Sequence, residues 1–344
     1  METTLIKENL RRRLIFMGIL LSAVIFLFLL NIALGSVNIP LSVVARALLG
    51  KPIESETHQS IVLLIRLPRA LATLAGGACL ALSGLLLQIF FNNPIVEPYV
   101  LGISSGARMF VGIVFLGGYT FGLDSLSPML MFWGSLAGAM IVMVAVLFAA
   151  NRVKSIVTLL VIGMMTGYLC SAVNSFLTAF AEQERIASFT LWSMGGFSGF
   201  TWSQVRVLLS VTTIFSIAAL LMSKSLNALL MGENYAQSMG VGIRKVRLSI
   251  VFVTSVLTAV LTAYAGPISF VGLAVPHLIR MSFHTSDNRI LLPASILGGA
   301  LMTSLCDLMA RTLFAPRELP IGALTSLIGT PLVIYMLLKR DNQL

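Results

Sequence analysis

Residues 14–34 read LIFMGILLSAVIFLFLLNIAL, without one charged side chain. A helix that crosses the hydrocarbon core of a bilayer needs about 20 such apolar residues. Arg11, Arg12 and Arg13 precede this stretch, as basic residues precede the core of a secretory signal. The apolar run is longer than a signal core, however, and no small-residue cleavage pattern follows it. The stretch therefore predicts a first membrane span that is retained in the mature protein.

Similar apolar stretches recur along the rest of the chain. Hydrophobic residues make up 57% of the 344 residues and charged residues only 10%, whereas a soluble domain carries about 25% charged residues. We predict an all-α polytopic membrane protein with about ten transmembrane helices, forming one transmembrane domain over residues 1–344. The predicted spans, separated by breaks rich in Pro, Gly, Asn and charge, are 14–34, 62–82, 98–118, 129–150, 155–179, 203–223, 248–266, 268–283, 291–311 and 319–338.

The positive residues indicate the orientation of these spans. If the N-terminus is inside, fourteen of the 23 Lys and Arg residues fall in inner segments and eight in outer segments. This bias predicts that both termini are cytoplasmic. The net charge of +10 is distributed over short loops rather than over one basic face, so we do not expect nucleic acid as a partner.

The longest inner segment, residues 224–247, reads KSLNALLMGENYAQSMGVGIRKVR. Its pattern predicts two short helices, separated at Gly232 and closed by Gly240-Val241-Gly242. Such a helix pair can insert into a groove on a cytoplasmic partner, or it can lie on the membrane surface as an amphipathic connector. The pattern alone leaves both interpretations open.

Several short blocks of sequence follow one another along the chain. They are RLPR at 66–69, NPIVEP at 93–98, LGISSGA at 101–107, GENYAQSMG at 232–240, GPISFVGLAVPHLIR at 266–280, ELPIG at 318–322 and GTP at 329–331. Together they resemble the iron–siderophore and cobalamin ABC permease family. In that family, residues 232–240 correspond to a Gly-Glu-x-x-Ala-x-x-Leu-Gly coupling loop.

The resemblance implies the fold and the partners of a transport subunit. Two copies of the chain, each with ten helices, would form a homodimer with the pathway along its axis, in a bacterial cell membrane. Two ABC ATPase subunits would bind on the cytoplasmic side, and an extracytoplasmic substrate-binding protein would dock outside. The expected ligand is an iron–siderophore, haem or a cobalamin. Because Gly50-Lys51 lacks the upstream glycine of a phosphate-binding loop, we expect no nucleotide site in the chain itself.

The resemblance also implies roles for particular residues. The residues assigned to ATPase coupling are Gly232, Glu233, Ala236 and Gly240, and those assigned to docking of the binding protein are Arg66, Arg69 and Arg311. From their positions in the link between the second and third spans and at the start of the fifth, we expect Asn93, Pro94 and Ser155 at the cytoplasmic gate. From spacing alone, Asp307 and Arg311 can pair along one face of the ninth span.

Arg108 departs from the family pattern, which continues with small or apolar residues after LGISSGA. It either lines the pathway and meets an anionic ligand, or pairs locally. No metal or cofactor site is predicted, because the three cysteines lie in apolar segments and the three histidines lack ligand spacing.

Two alternative functions remain open from the sequence. Residues 102–106 fit the Gly-x-Ser-x-Gly pattern, so Ser104 and His277 could form the dyad of an intramembrane serine hydrolase. The pattern requires a strand-to-helix elbow, however, and this stretch has a helical context. A secondary transporter would instead need buried carboxylates near the middle of the membrane, for which Asp307 and Glu97 are the candidates.

Overall fold

The computed structural model describes residues 2–35, 37–51, 55–94, 96–99, 101–117, 128–153, 155–315 and 317–341, and in these ranges it contains helices but no strand. The helices are α1 (Glu2–Ala33), α2 (Leu41–Leu48), α3 (Glu56–Ser60), α4 (Leu67–Phe90), α5 (Ile103–Gly117), α6 (Pro128–Arg152), α7 (Ile156–Phe180), α8 (Gln183–Ser193), α9 (Trp202–Leu221), α10 (Ser223–Leu230), α11 (Glu233–Ser238), α12 (Ile243–Ala265), α13 (Val271–Phe283), α14 (Asn288–Thr312) and α15 (Ile321–Asp341). A π-helical turn, Ile61–Arg66, joins α3 to α4. The all-helical prediction is confirmed.

Seven helical segments of the described chain are long and apolar enough to cross a membrane, judged by length and composition. They lie in α1, in the stretch from α3 to α4, and in α6, α7, α9, α12 and α14, and each overlaps a predicted span. Three shorter apolar helices, α5, α13 and α15, overlap the other three predicted spans. The polar stretches 35–61 and 181–202, which lie between predicted spans, contain the short helices α2, α3 and α8.

Helix α4 forms the centre of the bundle. It is buried almost throughout and packs against α14, α12, α13 and α9. Two glycines allow its closest contacts: a Cβ atom on Gly77 would collide with the backbone of Gly299, and one on Gly84 would collide with the backbone of Gly272. Small residues at such contacts let helix backbones approach without a bulky side chain between them. The glycines thus determine how closely α14 and α13 pack on α4.

Helix α13 begins inside the bundle rather than at its end. Residues 266–270 lead back from α12, and Phe270 has the left-handed φ of +68°, which is uncommon for a bulky residue. The buried carboxylate of Glu97 accepts a hydrogen bond from the Phe270 backbone N–H at 2.9 Å. Non-helical backbone is tolerated at membrane depth where protein covers it. Glu97 therefore anchors the start of a broken helix.

The connecting segments lie at two ends of the bundle, which we name by their helices. At the α8 end, the Trp202 indole N–H donates to the Leu63 carbonyl at 3.0 Å, and the Gly196 N–H donates to the Ala265 carbonyl at 2.8 Å. At the α11 end, α10 and α11 lie beside the start of α12 and the turn between α13 and α14. The two ends thus present different surfaces.

The long helices differ in how much of their surface the chain itself covers. Residues in the apolar window of α4 are 89% buried, whereas those in the windows of α1, α7 and α9 are 17%, 22% and 22% buried. An apolar helix surface left uncovered by the chain requires lipid or another protein beside it. Helices α1, α7 and α9 therefore form the outer faces of the bundle.

Candidate functional site

Helices α10 and α11 form a compact unit at one end of the bundle, as residues 224–247 predicted. Gly232 separates them with a φ of +104°, and Gly240 follows α11 with a φ of +80°. These left-handed conformations favour glycine because a Cβ atom would be strained there. Two glycines thus define the bounds of α11, and the prediction of two short helices is confirmed.

The α10–α11 unit is fastened to the bundle by a pair of hydrogen bonds. The Asn227 side-chain amide donates to an Asp287 carboxylate oxygen at 2.7 Å, and its carbonyl oxygen accepts from the Asn288 backbone N–H at 2.8 Å. Burial raises the pKa of Asp287, but bonds from the Arg289 N–H and from Asn227 outweigh this effect and hold the pKa below its ordinary value. The carboxylate is therefore ionised at neutral pH, and its bond to Asn227 is charge-assisted.

The predicted coupling residues occupy different environments within the unit. Ala236 is fully buried, and its carbonyl accepts from the Val241 N–H at 3.0 Å, which folds the chain back after α11. Glu233 is exposed and pairs with Arg247 on α12. Ala236 therefore supports the internal packing of the unit, while Glu233 ties α11 to α12.

The outward face of the unit is apolar, although it lies at the end of the bundle. Met231, Tyr235 and Met239 are 69%, 49% and 62% exposed. They follow one another at a spacing of four residues, which places them on one side of α11. Exposed apolar side chains grouped in this way are typical of a protein interaction site, and methionine adapts readily to a partner surface.

A cavity of about 970 Å³ opens beside the unit, between α11, α12 and the α6–α7 link. Ser155 lies on its rim, where the hydroxyl oxygen accepts from the Thr158 N–H at 3.4 Å and caps α7. Phe90, the last residue of α4, also lines the cavity, and Asn93 and Pro94 follow it in the chain. The structure thus places all three predicted gate residues at the α11 end, with Ser155 bordering the cavity itself.

Two of the three predicted docking arginines cap the end of α1. Arg66 donates to the carbonyl oxygens of Ile32 at 3.0 Å and Ala33 at 2.7 Å. Arg311 donates to the Asn31 backbone carbonyl and, at 2.7 Å, to the Asn31 side-chain oxygen. The last carbonyl groups of a helix have no partner within the helix, so a cation near them is stabilising.

The third arginine, Arg69, lies between two carboxylates. Its guanidinium donates to Asp307 at 3.0–3.1 Å and to Glu318 at 2.8–3.0 Å. Asp307 also lies 3.6 Å from the Arg311 Nε atom, so the predicted pairing along α14 is confirmed. This cluster joins α4, α14 and the segment before α15.

The three arginines that we predicted for docking are buried in the isolated chain, and their docking role stays a prediction. Arg66, Arg69 and Arg311 are 4%, 8% and 5% exposed. The reason is physical: carbonyl oxygens at the end of α1 and two carboxylates of the same chain supply their acceptors. The exposed cations at the α8 end are instead Arg46, Lys51, Arg206 and Arg317.

Arg108 projects from the middle of α5 beside a second cavity, of about 390 Å³, at the α8 end. Its guanidinium carbon lies 5.7 Å from the centre of the Phe189 ring on α8. Among the described residues it forms no ion pair or hydrogen bond, so local pairing with a carboxylate does not account for this cation.

The Gly-x-Ser-x-Gly stretch does not form the elbow that a serine hydrolase requires. Residues 101 and 102 form a turn, and α5 begins at Ile103, with buried Ser104 as its second residue.

The residues described contain no group of three or more His, Cys, Asp or Glu side chains that could hold a metal ion.

Sequence reasoning missed Asn227, Asp287 and Asn31. Each is a common polar residue in a segment without a motif, and its partner lies far away in the sequence. A partial signal existed for Asp287, because Asp before a helix is a frequent N-cap, and it accepts from the Arg289 N–H at 3.0 Å.

Known proteins are similar to this chain over most of its length. The family model described as the FecCD transport family matches residues 23–339. The hemin transport system permease protein HmuU of Yersinia pestis is 36% identical over 324 residues, which cover 93% of this chain and 95% of that protein. The vitamin B12 import system permease protein BtuC of Salmonella typhi is 37% identical over 275 residues, covering 80% and 82%.

Two solved structures resemble this fold. A metal-chelate type ABC transporter in an inward-facing conformation superposes with a TM-score of 0.82 at 30% identity, covering 94% of this chain and 99% of that one. PsaBC from Streptococcus pneumoniae, in complex with Fab, has a TM-score of 0.53 at 12% identity over 78% and 88% of the two chains, a likeness of fold alone. The chain belongs to the FecCD transport family.

Proposed function

We propose that this chain is the permease subunit of an ATP-driven ABC importer for an iron–siderophore, haem or a cobalamin. The observation that carries the proposal is the α10–α11 unit, which presents an exposed apolar face at one end of a membrane-spanning bundle. The family membership supports it, because the hemin and vitamin B12 relatives are named as permeases. The same names give no support to a hydrolase built on Ser104 and His277 or to a secondary transporter.

In this proposal, α11 couples the bundle to a separate ATPase. Met231, Tyr235 and Met239 enter a groove on the ATPase, and Glu233 and Arg247 hold α11 at a fixed angle to α12. Motion of the ATPase then reaches the turn between α13 and α14 through Asn227 and Asp287. The α11 end is therefore cytoplasmic, as are both termini, and the seven long and three short apolar helices give ten crossings.

A second copy of the chain completes the pathway. Helix α7 is uncovered along most of its length, and Ser171 and Ser175 lie exposed on its apolar surface. Hydroxyl groups suit a water-filled route better than contact with lipid. We assign this face to the homodimer axis, and we assign Asn93, Pro94 and Ser155 to the gate at the cytoplasmic end of the route.

The extracytoplasmic binding protein docks at the α8 end. Arg46, Lys51, Arg206 and Arg317 are exposed there, although positive charge outside the membrane is disfavoured by topology. A partner with acidic lobes accounts for this excess of cations, and docking of this kind weakens as salt screens the charges.

The test is uptake by the reconstituted complex of permease, cognate ATPase and binding protein in proteoliposomes. The proposal predicts that hemin, vitamin B12 or a ferric siderophore accumulates only when ATP is present on the ATPase side. Accumulation that continues without the ATPase and collapses with the proton gradient would support a secondary transporter instead.

A further inference from the structure

The 390 Å³ cavity at the α8 end lies between α5, the end of α8, the link before α13 and the start of α15. Its polar lining consists of Tyr99, Arg108, Ser193, Ser269 and Ser326, and no carboxylate of the described residues lines it. Pockets that bind small molecules have volumes of about 300–1,000 Å³. The cavity is at the lower end of that range, so it fits one arm of a bulky ligand.

Arg108 gives the cavity its charge. The Nε atom is buried and has no hydrogen-bond partner among the described residues, and the Phe189 ring is the only group described as stacking with the guanidinium. A cation at membrane depth is costly unless an anion or water compensates it. An uncompensated arginine inside a bundle is therefore a candidate ligand site.

The hydroxyl groups of the cavity strengthen this assignment. Ser193 and Ser326 already donate their hydroxyl protons to the carbonyl oxygens of Thr190 at 2.9 Å and Gly322 at 2.7 Å. The donors left for a ligand are the Arg108 guanidinium and the hydroxyls of Tyr99 and Ser269. A site with a cation, free donors and no carboxylate selects an acceptor that carries negative charge.

We propose that this cavity is a carboxylate subsite on the ligand route, in which Arg108 binds a carboxylate arm of the transported chelate. The planar guanidinium can hold both carboxylate oxygens by parallel hydrogen bonds. The inference rests on the proposed transport function and narrows its substrate class to chelates that carry free carboxylates. A cobalamin, whose peripheral side chains are amides, offers no free carboxylate to Arg108.

The first test is a binding titration of the full-length permease in lipid nanodiscs, without ATP or partners. Trp192 reports on the cavity because its ring stacks on Phe189 with 6.4 Å between ring centres. Replacing Trp133 and Trp202 by phenylalanine leaves it as the single tryptophan. The probes are hemin, with two free carboxylates, and hemin dimethyl ester, in which both are esterified.

We expect hemin to quench Trp192 and its Kd to rise about 10- to 100-fold in Arg108→Gln, as expected for loss of a hydrogen bond to a charged group. Arg108→Lys should recover part of this loss because it keeps the charge. The ester should bind wild type and Arg108→Gln equally. Arg152→Gln, which removes an exposed arginine 5.0 Å from the Phe148 ring centre, is the matched control.

Two results would overturn the subsite: hemin that does not quench Trp192, or hemin and ester affinities that change together in Arg108→Gln. Because the titration needs neither ATP nor a partner, its outcome is separate from that of the uptake assay. A complex that fails to accumulate any ligand contradicts the proposed function, while a complex that imports only vitamin B12 contradicts the subsite alone.

Discussion

Arg69 offers an internal comparison between a buried and an exposed carboxylate. Its guanidinium binds both Asp307 and Glu318 at about the same distance, 3.0 and 2.8 Å. The side chain of Asp307 is 1% exposed, whereas that of Glu318 is 44% exposed. Replacing each carboxylate by alanine therefore tests burial while the cationic partner and the distance stay nearly constant.

Removing Asp307 should be the more damaging change. It leaves Arg69 and Arg311 without their shared buried counterion, and breaking a buried pair in this way costs about 3–5 kcal/mol. Glu318 lies partly in solvent, where an ion pair contributes about 0–1 kcal/mol after screening. We therefore expect Asp307→Ala to lower the free energy of unfolding by at least about 3 kcal/mol, and Glu318→Ala by no more than about 1 kcal/mol.

The assay is reversible unfolding of the purified permease in mixed micelles by increasing sodium dodecyl sulfate, followed by circular dichroism. Asp307→Asn is an additional control, because it keeps the volume and removes the charge, and it should fall between the two. Equal losses for Asp307→Ala and Glu318→Ala would mean that burial does not determine how much each ion pair stabilises the protein.

Two further changes test helix packing and coupling. Gly84→Ala places a Cβ atom against the backbone of Gly272 and should destabilise the bundle by about 1–3 kcal/mol in the same unfolding assay. The control Gly18→Ala, with open space around the new Cβ atom, should change the free energy of unfolding by less than about 0.5 kcal/mol. Equal effects would contradict the close contact between α4 and α13. Asn227→Ala removes the bonds to Asp287 and Asn288 and should reduce uptake per ATP hydrolysed. The control Asn38→Ala changes an exposed asparagine outside the α10–α11 unit and should leave the ratio unchanged. An unchanged ratio in the Asn227 variant would exclude it from coupling.

Much of the fold could be predicted from the sequence, because a membrane span is a local property. Twenty apolar residues in succession indicate a crossing whatever the rest of the chain does, and each predicted span overlaps a helix. The α10–α11 pair could also be predicted from local sequence, since Gly232 and Gly240 indicate where α11 begins and ends. Helices α2, α3 and α8 were missed because they are short and lie in polar stretches.

The pairing of buried charges could not be predicted in the same way. Arg69 and Asp307 are separated by 238 positions, and no periodicity in either segment points to the other. From the sequence alone, an arginine that caps the end of α1 cannot be distinguished from an exposed arginine that binds a partner protein. The topology rule treats both as outer cations, so it does not reveal that Arg66, Arg69 and Arg311 are buried.

Binding of the separate ATPase to the permease in nanodiscs measures directly whether α11 connects the two proteins. Replacing Met231, Tyr235 and Met239 by serine removes the exposed apolar face while leaving the buried Ala236 in place. A tyrosine buries about 150–250 Å² when fully covered, so the 49% of Tyr235 that is exposed contributes up to about 2–3 kcal/mol at 25 cal/mol per Å².

The triple variant should bind the ATPase at least about 10-fold more weakly, because 1.4 kcal/mol corresponds to a factor of ten. Leu49→Ser, which removes an apolar side chain that is 70% exposed at the α8 end, should leave the affinity unchanged. Equal ATPase affinity of wild type and the triple variant would show that this face of α11 does not connect the permease to the ATPase.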